Sequence, residues 1–267
     1  MKVAFFDMDG TLTEARCKIS CEMVQVLHKL SDHCRIGIVT GSDFSYVKEQ
    51  IGDLFKEDNI TLANSTQLFP CNGTQAWHYN GKDFVHHFST SLIDKIGAKK
   101  LHELCRFLLQ QQLLYMSDFP EVPATGDFIV NRGSMLNYCP PGRSCSPEQR
   151  KKFKDIDVKR KIRMGMFRRL NTFMEYKDSG CVAALGGNTS IDIYPRGWDK
   201  TYVLNHYHDN PQLKASFIGD RCQAGGNDKT IYEEMINRDN SIAFETTSPE
   251  HTIKIIQEQL IPYFLES

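Results

Sequence analysis

The chain has 267 residues, with 32 Lys and Arg, 33 Asp and Glu and a 40% share of hydrophobic residues. This length allows one large domain or two modest ones, and the net charge of −1 favours no particular partner. The nine cysteines are scattered without any C-x-x-C pair, which is typical of reduced thiols in a cytosolic protein and not of a disulfide framework or a zinc site. Neither a signal peptide nor an apolar run of membrane-spanning length is recognisable, so we predict a cytoplasmic protein without a membrane partner.

The chain opens with a short apolar run at residues 3–6, which predicts a buried strand that ends on an acidic loop. Asp7 and Asp9 stand two residues apart directly after this strand, and Gly10 lets the backbone bend around a ligand. In open α/β sheets, ligands bind outside the carboxyl ends of the strands. Two carboxylates this close repel each other, and a hard cation such as Mg²⁺ removes that conflict. A plain acidic turn is the alternative, because D-x-D also occurs by chance.

The next stretch predicts a helix and then a second buried strand. Ser20 is an acceptable N-cap for a helix whose apolar residues share one face. The strand at residues 35–39 ends on Thr40-Gly41-Ser42-Asp43. A small hydroxyl residue such as Ser42, opening the next helix, is placed to bind phosphate together with backbone N–H groups. A simple N-cap would explain the same residues.

From about residue 83 to residue 195 the parallel-sheet pattern pauses, and a second domain is expected there. Residues 93–114 predict helix, and residues 128–138 alternate like a strand pair. Ser146-Pro147-Glu148 has an N-cap, a Pro and an acid in the order that starts a helix. We predict that this helix continues without a break to about Leu170.

A basic run extends from Arg143 to Arg169, with eleven Lys and Arg against three Asp and Glu. A solvated helix face is the usual explanation for such a run. A nucleic-acid patch is a second possibility, but no aromatic stacking platform accompanies the run. We therefore predict no nucleic-acid partner.

The last part of the chain predicts a further strand that ends on an acid. Residues 215–219 form this strand, Asp220 follows it, and residues 225–228 open a helix. Asp220 completes a carboxylate set with Asp7 and Asp9. Asp228 is expected to order this loop, or Lys200, and not to bind the metal ion directly.

Two histidines could suggest a metal site of another kind. His206 and His208 have no third ligand at a suitable spacing, and we interpret both as surface residues.

Asp7-Met8-Asp9-Gly10-Thr11 resembles the D-x-D-G-T signature of the haloacid dehalogenase superfamily, whose first Asp is a phosphoryl-accepting nucleophile. From about Val3 to near the C-terminus, the chain is similar to one branch, the eukaryotic-type phosphomannomutases. Four further motifs carry this resemblance. They are Phe69-Pro70-Cys71-Asn72-Gly73 for the family's F-P-E-N-G, with Cys71 in place of the acid; residues 128–150 for F-x-x-x-R-N-G-M-L-N…P-x-G-R-S-C-S-x-x-x-R; residues 186–195 for G-G-Q-I-S-F-D-V-F-P; and Gly197-Trp198-Asp199-Lys200 for G-W-D-K.

The resemblance implies a role for each matched residue. Asp7 would be the nucleophile, Asp9 the general acid and base, and Lys200 the cation that balances charge. Mg²⁺ would be held by Asp7, Asp9 and Asp220. The implied substrate-binding residues are Arg16, Ser42, Arg132, Arg143, Arg150, Ser190 and Asp192.

Several of these residues also have structural explanations. Asn72-Gly73 is typical of a hairpin turn. Ser190 and Asp192 fit the polar alternation of a half-buried strand. Lys200 could be a surface lysine in the first turn of a helix, where a cation is mildly disfavoured.

The strand–helix alternation before and after the second-domain stretch predicts an α/β fold with a split core at residues 1–82 and 196–267 and an inserted α+β cap domain at residues 83–195. The resemblance implies that this core is the Rossmann-like haloacid dehalogenase core. It implies a phosphomannomutase that interconverts mannose 6-phosphate and mannose 1-phosphate for GDP-mannose synthesis. An aspartyl-phosphate enzyme and a hexose 1,6-bisphosphate activator would take part. The resemblance also implies a hexose phosphate substrate and a homodimer.

Two rival functions remain open at the level of the sequence. The closer one is a Mg²⁺-dependent sugar-phosphate phosphatase of the same superfamily, which needs the same core but admits water. The three matched arginines count against it, because hydrolysis needs no second phosphate site. The more distant rival is a non-catalytic module in which Asp7 is phosphorylated as a signal, and Asp9 counts against that function.

Overall fold

The computed structural model describes residues 1–266, which form two units. The first unit joins residues 1–89 with residues 198–266, and the second unit is the continuous stretch Thr90–Gly197. The strands of residues 1–266 are β1 Lys2–Phe6, β2 Arg35–Val39, β3 Thr66–Phe69, β4 Gln75–Tyr79, β5 Phe84–Ser89, β6 Ile129–Asn131, β7 Leu136–Tyr138, β8 Cys181–Gly186, β9 Ser190–Pro195, β10 Lys214–Gly219 and β11 Ser241–Glu245.

The helices connect these strands and cover the sheets. The α-helices are α1 Cys21–Ser31, α2 Phe44–Ile51, α3 Ile60–Ser65, α4 Leu92–Ile96, α5 Ala98–Asp118, α6 Pro147–Arg160, α7 Ile162–Tyr176, α8 Lys229–Asn237, α9 Pro249–Ile255 and α10 Ile261–Leu265. Four 3₁₀ segments, Gly52–Phe55, Glu57–Asn59, Cys71–Gly73 and Lys200–Tyr207, and the π-helical turn Ile256–Leu260 complete the described elements.

Within the described residues, the first unit contains a seven-stranded sheet in the order β11-β10-β1-β2-β3-β4-β5. β1 pairs in parallel with both β10 and β2, so these three strands end at the same edge. β4 and β5 are antiparallel additions beside β3. The boundary predicted at residue 82 falls in the loop between β4 and β5, and because these strands pair with each other, β5 stays with the first unit.

The centre of the first sheet is buried because helices cover both of its faces. Side chains of β1 alternate between two hydrophobic clusters, with Phe6 in one and Phe5 in the other. α1 buries Met23, Leu27 and Leu30 against the first cluster, and each fully buried Leu contributes about 1.5–3 kcal/mol. The predicted cap is confirmed, since the Ser20 Oγ accepts a hydrogen bond from the backbone N of Met23 at 3.2 Å.

The second unit has an antiparallel sheet of its own, in the order β6-β7-β9-β8. α5 and α7 cover it, and their buried side chains form one hydrophobic cluster with those of β9. The predicted start of α6 is confirmed, because Ser146 and Gln149 form a capping box with Pro147 in the first turn. The prediction of one unbroken helix is wrong. Lys161 adopts a left-handed conformation with φ of 54°, which ends α6 before α7 begins at Ile162.

Two expectations from composition can be compared with this fold. No helix of residues 1–266 combines the length and the hydrophobicity that crossing a membrane requires. All nine cysteines lie in this range, and the described residues contain no disulfide between them.

Candidate active site

In the first unit, ionisable side chains meet where β1 and β10 end. Asp7 follows β1, and Asp220 follows its parallel neighbour β10. Lys200 begins the 3₁₀ helix Lys200–Tyr207, and Asp228 immediately precedes α8. The carboxyl ends of adjacent parallel strands lie at one edge of a sheet, and for this reason residues far apart in the sequence come together here.

Lys200 is the buried centre of this group. Its side chain has no exposed surface, and its Nζ donates to the carboxylates of Asp7 and Asp228, the latter at 2.5 Å from Oδ1. The alternative of a surface lysine is therefore wrong. Lysine is almost never fully buried unless it is paired, and here the two carboxylates are its partners. Asp228 also accepts a hydrogen bond from the backbone N of Arg221 on Oδ2 at 3.0 Å. The prediction that Asp228 orders this loop and Lys200 is confirmed.

The group carries more negative than positive charge. Carboxylate oxygens of Asp7, Asp220 and Asp228 all lie within 4.8 Å of one another. Burial raises the pKa of Asp7 well above its usual range, although the Lys200 ammonium opposes that shift. Burial, together with the charge of Asp228, also raises the pKa of Asp220. For Lys200, burial by itself would lower the pKa, but the two carboxylates raise it above its ordinary value, so the lysine stays charged.

This donor set fits a hard divalent cation. All three side chains offer oxygen ligands, which Mg²⁺ prefers. Asp220 Oδ1 is buried and has no hydrogen-bond partner among the described residues, so an ion would satisfy an atom that otherwise carries a desolvation cost. Gly10 makes the approach of Asp220 possible, because its φ is 87° and a Cβ there would lie 2.5 Å from Asp220 Oδ2. Asp7, Asp220 and Asp228 together could surround Mg²⁺, but both oxygens of Asp228 already accept hydrogen bonds, from Lys200 and from the backbone N of Arg221.

Asp9 makes its hydrogen bonds outside this acidic group. Its Oδ1 accepts hydrogen bonds from the Tyr46 hydroxyl at 3.0 Å and from Gln50 Nε2 at 3.2 Å. The backbone N of Arg16 also donates to it, at 3.4 Å. In the part of the chain that the structure describes, the Asp9 carboxylate does not belong to the set of carboxylates whose oxygens lie within 4.8 Å of one another. A metal-ligand role for Asp9 stays a prediction, and its carboxylate is engaged elsewhere in this structure.

Arg16 and Ser42 both lie in loops of the first unit. Arg16 has an exposed side chain and a left-handed backbone, with φ of 66°. Ser42 follows β2, the parallel neighbour of β1, and its backbone N donates to Thr40 Oγ1 at 3.1 Å. The backbone N of Cys71 donates to the Ser42 carbonyl at 2.9 Å. This loop is therefore fixed from two sides, with the Ser42 side chain half-buried.

The loop that contains Cys71 is more constrained than a simple hairpin turn. It connects the antiparallel strands β3 and β4, as the Asn72-Gly73 pattern predicts. Cys71, Asn72 and Gly73 have φ values of 51°, 65° and 85°. A positive φ is ordinary for glycine and tolerated by asparagine, but it is strained for Cys71, and only a well-determined environment sustains it there. The Asn72 side chain donates to the carbonyl of Trp198 at 3.2 Å. The loop thus joins the Ser42 segment to the segment that precedes Lys200.

In the second unit, the predicted arginines belong to one polar network. Arg143 Nη1 donates to Asn137 Oδ1 at 3.1 Å, and Asn137 Nδ2 donates to Asp192 Oδ1 at 2.6 Å. Arg132 Nη1 lies 3.8 Å from the same Asp192 oxygen. Arg150 Nη2 donates to the Arg143 carbonyl at 2.5 Å. The structure therefore brings Arg132, Arg143 and Arg150 into one group with Asp192.

Ser190 is placed differently from these residues. Its hydroxyl donates to the carbonyl of Gly186 at 3.0 Å, within the turn between β8 and β9. Thr189, beside it in the sequence, accepts a hydrogen bond from Arg150 Nη1 at 3.1 Å. The arginine network therefore includes Thr189, which the sequence analysis did not single out.

Sequence reasoning also missed the residues that hold Asp9, and it misplaced one histidine. Tyr46 and Gln50 are ordinary residues of an amphipathic helix, and no local pattern announces contacts that span 37 and 41 positions. The interpretation of His206 as a surface residue is wrong, because its ring is half-buried and its Nε2 lies 2.8 Å from the Gly73 carbonyl. Its neighbour His208 is exposed, as expected.

Comparison with known proteins gives consistent matches. A family model described as eukaryotic phosphomannomutase matches residues 23–262. The phosphomannomutase of Encephalitozoon cuniculi is 36% identical over 258 residues, which cover 97% of this chain and 93% of that protein. The phosphomannomutase of Saccharomyces cerevisiae is 35% identical over 256 residues, which cover 96% of this chain and 93% of that protein.

Solved structures are similar at much lower sequence identity. An IMP-nucleotidase of Plasmodium falciparum superposes with a TM-score of 0.66 at 14% identity, over 98% of this chain and 67% of that chain. A haloacid dehalogenase-like hydrolase of Bacteroides thetaiotaomicron superposes with a TM-score of 0.58 at 14% identity, over 96% of this chain and 98% of that chain. At this low sequence identity, the similarity is evidence for a shared fold alone.

Proposed function

The chain belongs to the eukaryotic phosphomannomutase family and is a phosphomutase, and from this premise we propose that it interconverts mannose 6-phosphate and mannose 1-phosphate through a phosphorylated Asp7. The observation that supports this mechanism best is the buried Lys200, paired with Asp7 and Asp228 where β1 and β10 end. A lysine held in this way keeps its charge beside a nucleophilic carboxylate. We propose that the product supplies GDP-mannose synthesis.

The first half of the reaction phosphorylates Asp7. A carboxylate oxygen of Asp7 attacks the phosphorus of a hexose 1,6-bisphosphate, and the bond between phosphorus and the sugar oxygen breaks. The leaving sugar oxygen takes a proton from Asp9, which acts as the general acid. The Lys200 ammonium offsets charge on the transferring group, and Ser42 donates a hydrogen bond to one of its oxygens.

The second half returns the phosphoryl group to the other end of a hexose monophosphate. Asp9, now ionised, takes the proton of the incoming hydroxyl as the general base, and that oxygen attacks the phosphorus. The bond between phosphorus and Asp7 breaks, which regenerates the free carboxylate. One bisphosphate is consumed and one is formed, so a hexose 1,6-bisphosphate serves as activator.

Family membership implies dependence on a metal ion, and the acidic group described above fits Mg²⁺. We propose that Asp7 and Asp220 hold it through their side chains, with Asp228 as the partner of Lys200. The motif implies Asp9 as a further ligand, but Oδ1 of Asp9 already accepts hydrogen bonds from Tyr46 and Gln50, so we assign its side chain the acid–base role instead. Bound there, the ion would neutralise negative charge on the phosphoryl oxygens. Lys200 by itself cannot balance three carboxylates and a phosphoryl group.

A mutase must also hold the phosphate that is not reacting, and the second unit offers a group suited to it. Guanidinium groups bind phosphate through two parallel hydrogen bonds. The side chains of Arg132, Arg143 and Arg150 are already ordered by Asp192, Asn137 and Thr189. We propose that these arginines bind the distal phosphate, that Ser190 and Asp192 contact sugar hydroxyls, and that Arg16 contributes to substrate binding.

The assembly and location follow from the same family resemblance. We propose a homodimer that acts in the cytoplasm, where nine cysteines without a disulfide between them in residues 1–266 would stay reduced. Size-exclusion chromatography with light scattering measures the assembly directly.

One assay distinguishes the mutase from its closest rival, a sugar-phosphate phosphatase. Purified protein with Mg²⁺, mannose 1-phosphate and a catalytic amount of glucose 1,6-bisphosphate is followed for mannose 6-phosphate and free phosphate together. We expect mannose 6-phosphate to accumulate while free phosphate stays near the background level. Free phosphate released in step with substrate loss would establish the phosphatase instead.

A further inference from the structure

Two side chains of α2 hold the carboxylate of Asp9 by one of its oxygens. We propose that Tyr46 and Gln50 are positioning residues, which fix Oδ1 of Asp9 and leave Oδ2 to exchange the proton with the sugar. This inference rests on the acid–base role proposed for Asp9. It adds two residues to the reaction that the motifs do not include.

The geometry of α2 makes this contact possible. Tyr46 and Gln50 are four residues apart and so share one face of the helix. The helix is fixed at its start by Asp43, whose Oδ1 accepts the backbone N of Tyr46 at 3.0 Å. The Tyr46 hydroxyl and Gln50 Nε2 then lie 3.0 and 3.2 Å from the same oxygen of Asp9.

The orientation of the Gln50 amide is determined by a second contact. Gln50 Oε1 accepts the hydroxyl of Thr13 at 2.7 Å, and both side chains are almost completely buried. The amide oxygen therefore faces Thr13, and the amide nitrogen faces Asp9 as a donor. The carbonyl of Gln50 also accepts the backbone N of Ile19 at 2.9 Å, which holds this turn of α2 against the loop that follows Asp9.

The Tyr46 hydroxyl has one hydrogen, and it donates that hydrogen to Oδ1 of Asp9 at 3.0 Å. Hydrogen bonds to a charged acceptor are stronger than neutral ones. Two donors on Oδ1 therefore fix the rotation of the carboxylate about its side-chain bonds.

All of the hydrogen bonds that residues 1–266 make to this carboxylate end on Oδ1. During phosphorylation of Asp7, the proton on Oδ2 passes to the sugar oxygen as its bond to phosphorus breaks, while Oδ1 keeps its donors. On the return step, Oδ2 takes the proton of the attacking hydroxyl. A carboxylate fixed in this way meets the sugar oxygen without a search among rotamers.

The test compares two phosphoryl donors in single-turnover formation of the phosphoenzyme. Glucose 1,6-bisphosphate leaves a sugar alkoxide that needs a proton, whereas acetyl phosphate leaves acetate, which needs none. We expect Tyr46→Phe to slow phosphorylation by the bisphosphate by about tenfold to a hundredfold, the equivalent of one hydrogen bond to a charged group. Its rate with acetyl phosphate should change by less than about twofold. Gln50→Glu, which replaces the donor with a repelling carboxylate, should give the same selective loss.

Controls separate positioning from folding. Tyr263→Phe removes another tyrosine hydroxyl of the first unit, one that donates to the Asn240 carbonyl at 2.7 Å, and it should leave both rates unchanged. Equal losses on both donors for Tyr46→Phe would mean a structural role and would overturn the proposal. Unchanged rates with the bisphosphate in both α2 variants would overturn it as well.

One further variant distinguishes this inference from the proposed function. Asp9→Asn should lose about a hundredfold to ten-thousandfold with the bisphosphate only, as expected for a missing general acid. If Asp9→Asn shows no such selectivity, the acid–base assignment itself fails. If Asp9→Asn is selective and Tyr46→Phe is not, the positioning role alone fails.

Discussion

Lys200 illustrates how burial changes what a single residue does. In water its ammonium would be one of many solvated charges, but here it lies in the interior against two carboxylates. Removing one partner of a buried ion pair leaves an uncompensated charge, which is far more costly than losing a surface pair. The lysine therefore has a structural role that can be measured apart from catalysis.

We expect Lys200→Met to lower the free energy of unfolding by about 3–5 kcal/mol, because Asp7 and Asp228 lose their counter-charge. Urea unfolding in the presence of EDTA measures this change without a contribution from metal binding. The control is Lys229→Met, which removes a partly exposed lysine paired with Glu233 and should cost only about 0.3–0.5 kcal/mol. Similar losses in the two variants would contradict the buried-pair interpretation.

The acidic group should respond to metal ions even without substrate. After treatment with EDTA, Mg²⁺ should raise the melting temperature, since an ion at a hundred times its Kd stabilises the folded state by about 2.7 kcal/mol. EDTA should also stop turnover, and Zn²⁺ should substitute poorly at an all-oxygen site. A melting temperature indifferent to Mg²⁺ would argue against the site.

Asp220 provides the matched variant for this experiment. Because the pKa of Asp220 is raised in the folded protein, its charged form destabilises the fold as the pH rises through that pKa. Asp220→Asn should therefore raise the melting temperature in EDTA and at the same time reduce the response to Mg²⁺. Asp209→Asn, which changes an exposed acid, should alter neither.

For single residues, the sequence predicts the acids that follow strands better than it predicts the side chains that contact those acids. Asp7 and Asp220 were identifiable because an acid directly after an apolar run lies at the carboxyl edge of a sheet. The orientation of Asp9 was not predictable, because it depends on Tyr46 and Gln50, whose side chains reach it only once α2 has docked. The burial of Lys200 likewise depends on contacts with distant segments.

Among the elements, the 3₁₀ helix Lys200–Tyr207 and the Cys71–Gly73 segment support each other. A Cβ on Gly73 would lie 2.9 Å from the backbone N of Val203, so only glycine allows this close approach. The His206 ring packs against Phe69 and Phe88 and contacts the Gly73 carbonyl. Burial lowers the pKa of His206, because the charged ring would lose its hydration.

This shift makes the stability of the first unit depend on pH. Below the unfolded pKa of about 6.5, the unfolded chain binds a proton at this histidine more readily than the folded chain does. Stability due to His206 is therefore present above that pH and is lost as the pH falls toward the lower folded value. We expect wild type to lose more unfolding free energy than His206→Gln between about pH 7.5 and about pH 5.5.

The same pair of urea titrations on His208→Gln provides the control. His208 is exposed, and its substitution should leave the wild-type pH dependence intact. If His206→Gln and wild type lost equal free energy over this interval, the buried ring would not be the source of the dependence.

Element boundaries were predictable where a residue type has one local use. Ser20 and Ser146 cap their helices with their own hydroxyls, so the sequence pattern suffices. The break at Lys161 was not predictable, because lysine has no preference for a left-handed conformation. There, the backbone N and the Nε of Arg163 both donate to the Asp157 carboxylate, each at 2.7 Å. These two hydrogen bonds stabilise the turn between α6 and α7.

For the molecule as a whole, the predicted fold class is confirmed: an α/β chain with a Rossmann-like haloacid dehalogenase core and an inserted α+β unit. The carboxylates of the acidic group belong to the first unit, and the matched arginines belong to the second. The phosphoryl chemistry and the proposed recognition of the distal phosphate can therefore be tested separately.

We expect Arg150→Ala to weaken the use of mannose 1-phosphate about tenfold to more than a hundredfold, the effect of losing about 1.5–3 kcal/mol of hydrogen bonding to a charged group. Slow hydrolysis of acetyl phosphate, which needs only the first unit, should be nearly unchanged. Titrations with both substrates measure the difference, and Arg143→Ala should behave in the same way.

Arg160→Ala is the matched control, since Arg160 lies on the same helix as Arg150 and its side chain is 56% exposed. It should leave both titrations unchanged. Equal losses on the two substrates in Arg150→Ala would indicate that this arginine maintains the second unit, where it donates to Arg143, Cys145 and Thr189, and does not bind a phosphate.

The position of β1 between β2 and β10 has a consequence for biosynthesis. A ribosome delivers β1 to β5 first, then the whole of the second unit, and only afterwards β10. The second unit is continuous in sequence and has its own hydrophobic cluster. It can therefore fold before β10 has been synthesised and has paired with β1. In a nascent chain that ends before Lys214, β10 is missing and one edge of β1 is unpaired. The residues of β1 are apolar and buried in the complete fold, so this open edge favours aggregation. We expect such a chain to aggregate unless a chaperone covers this edge.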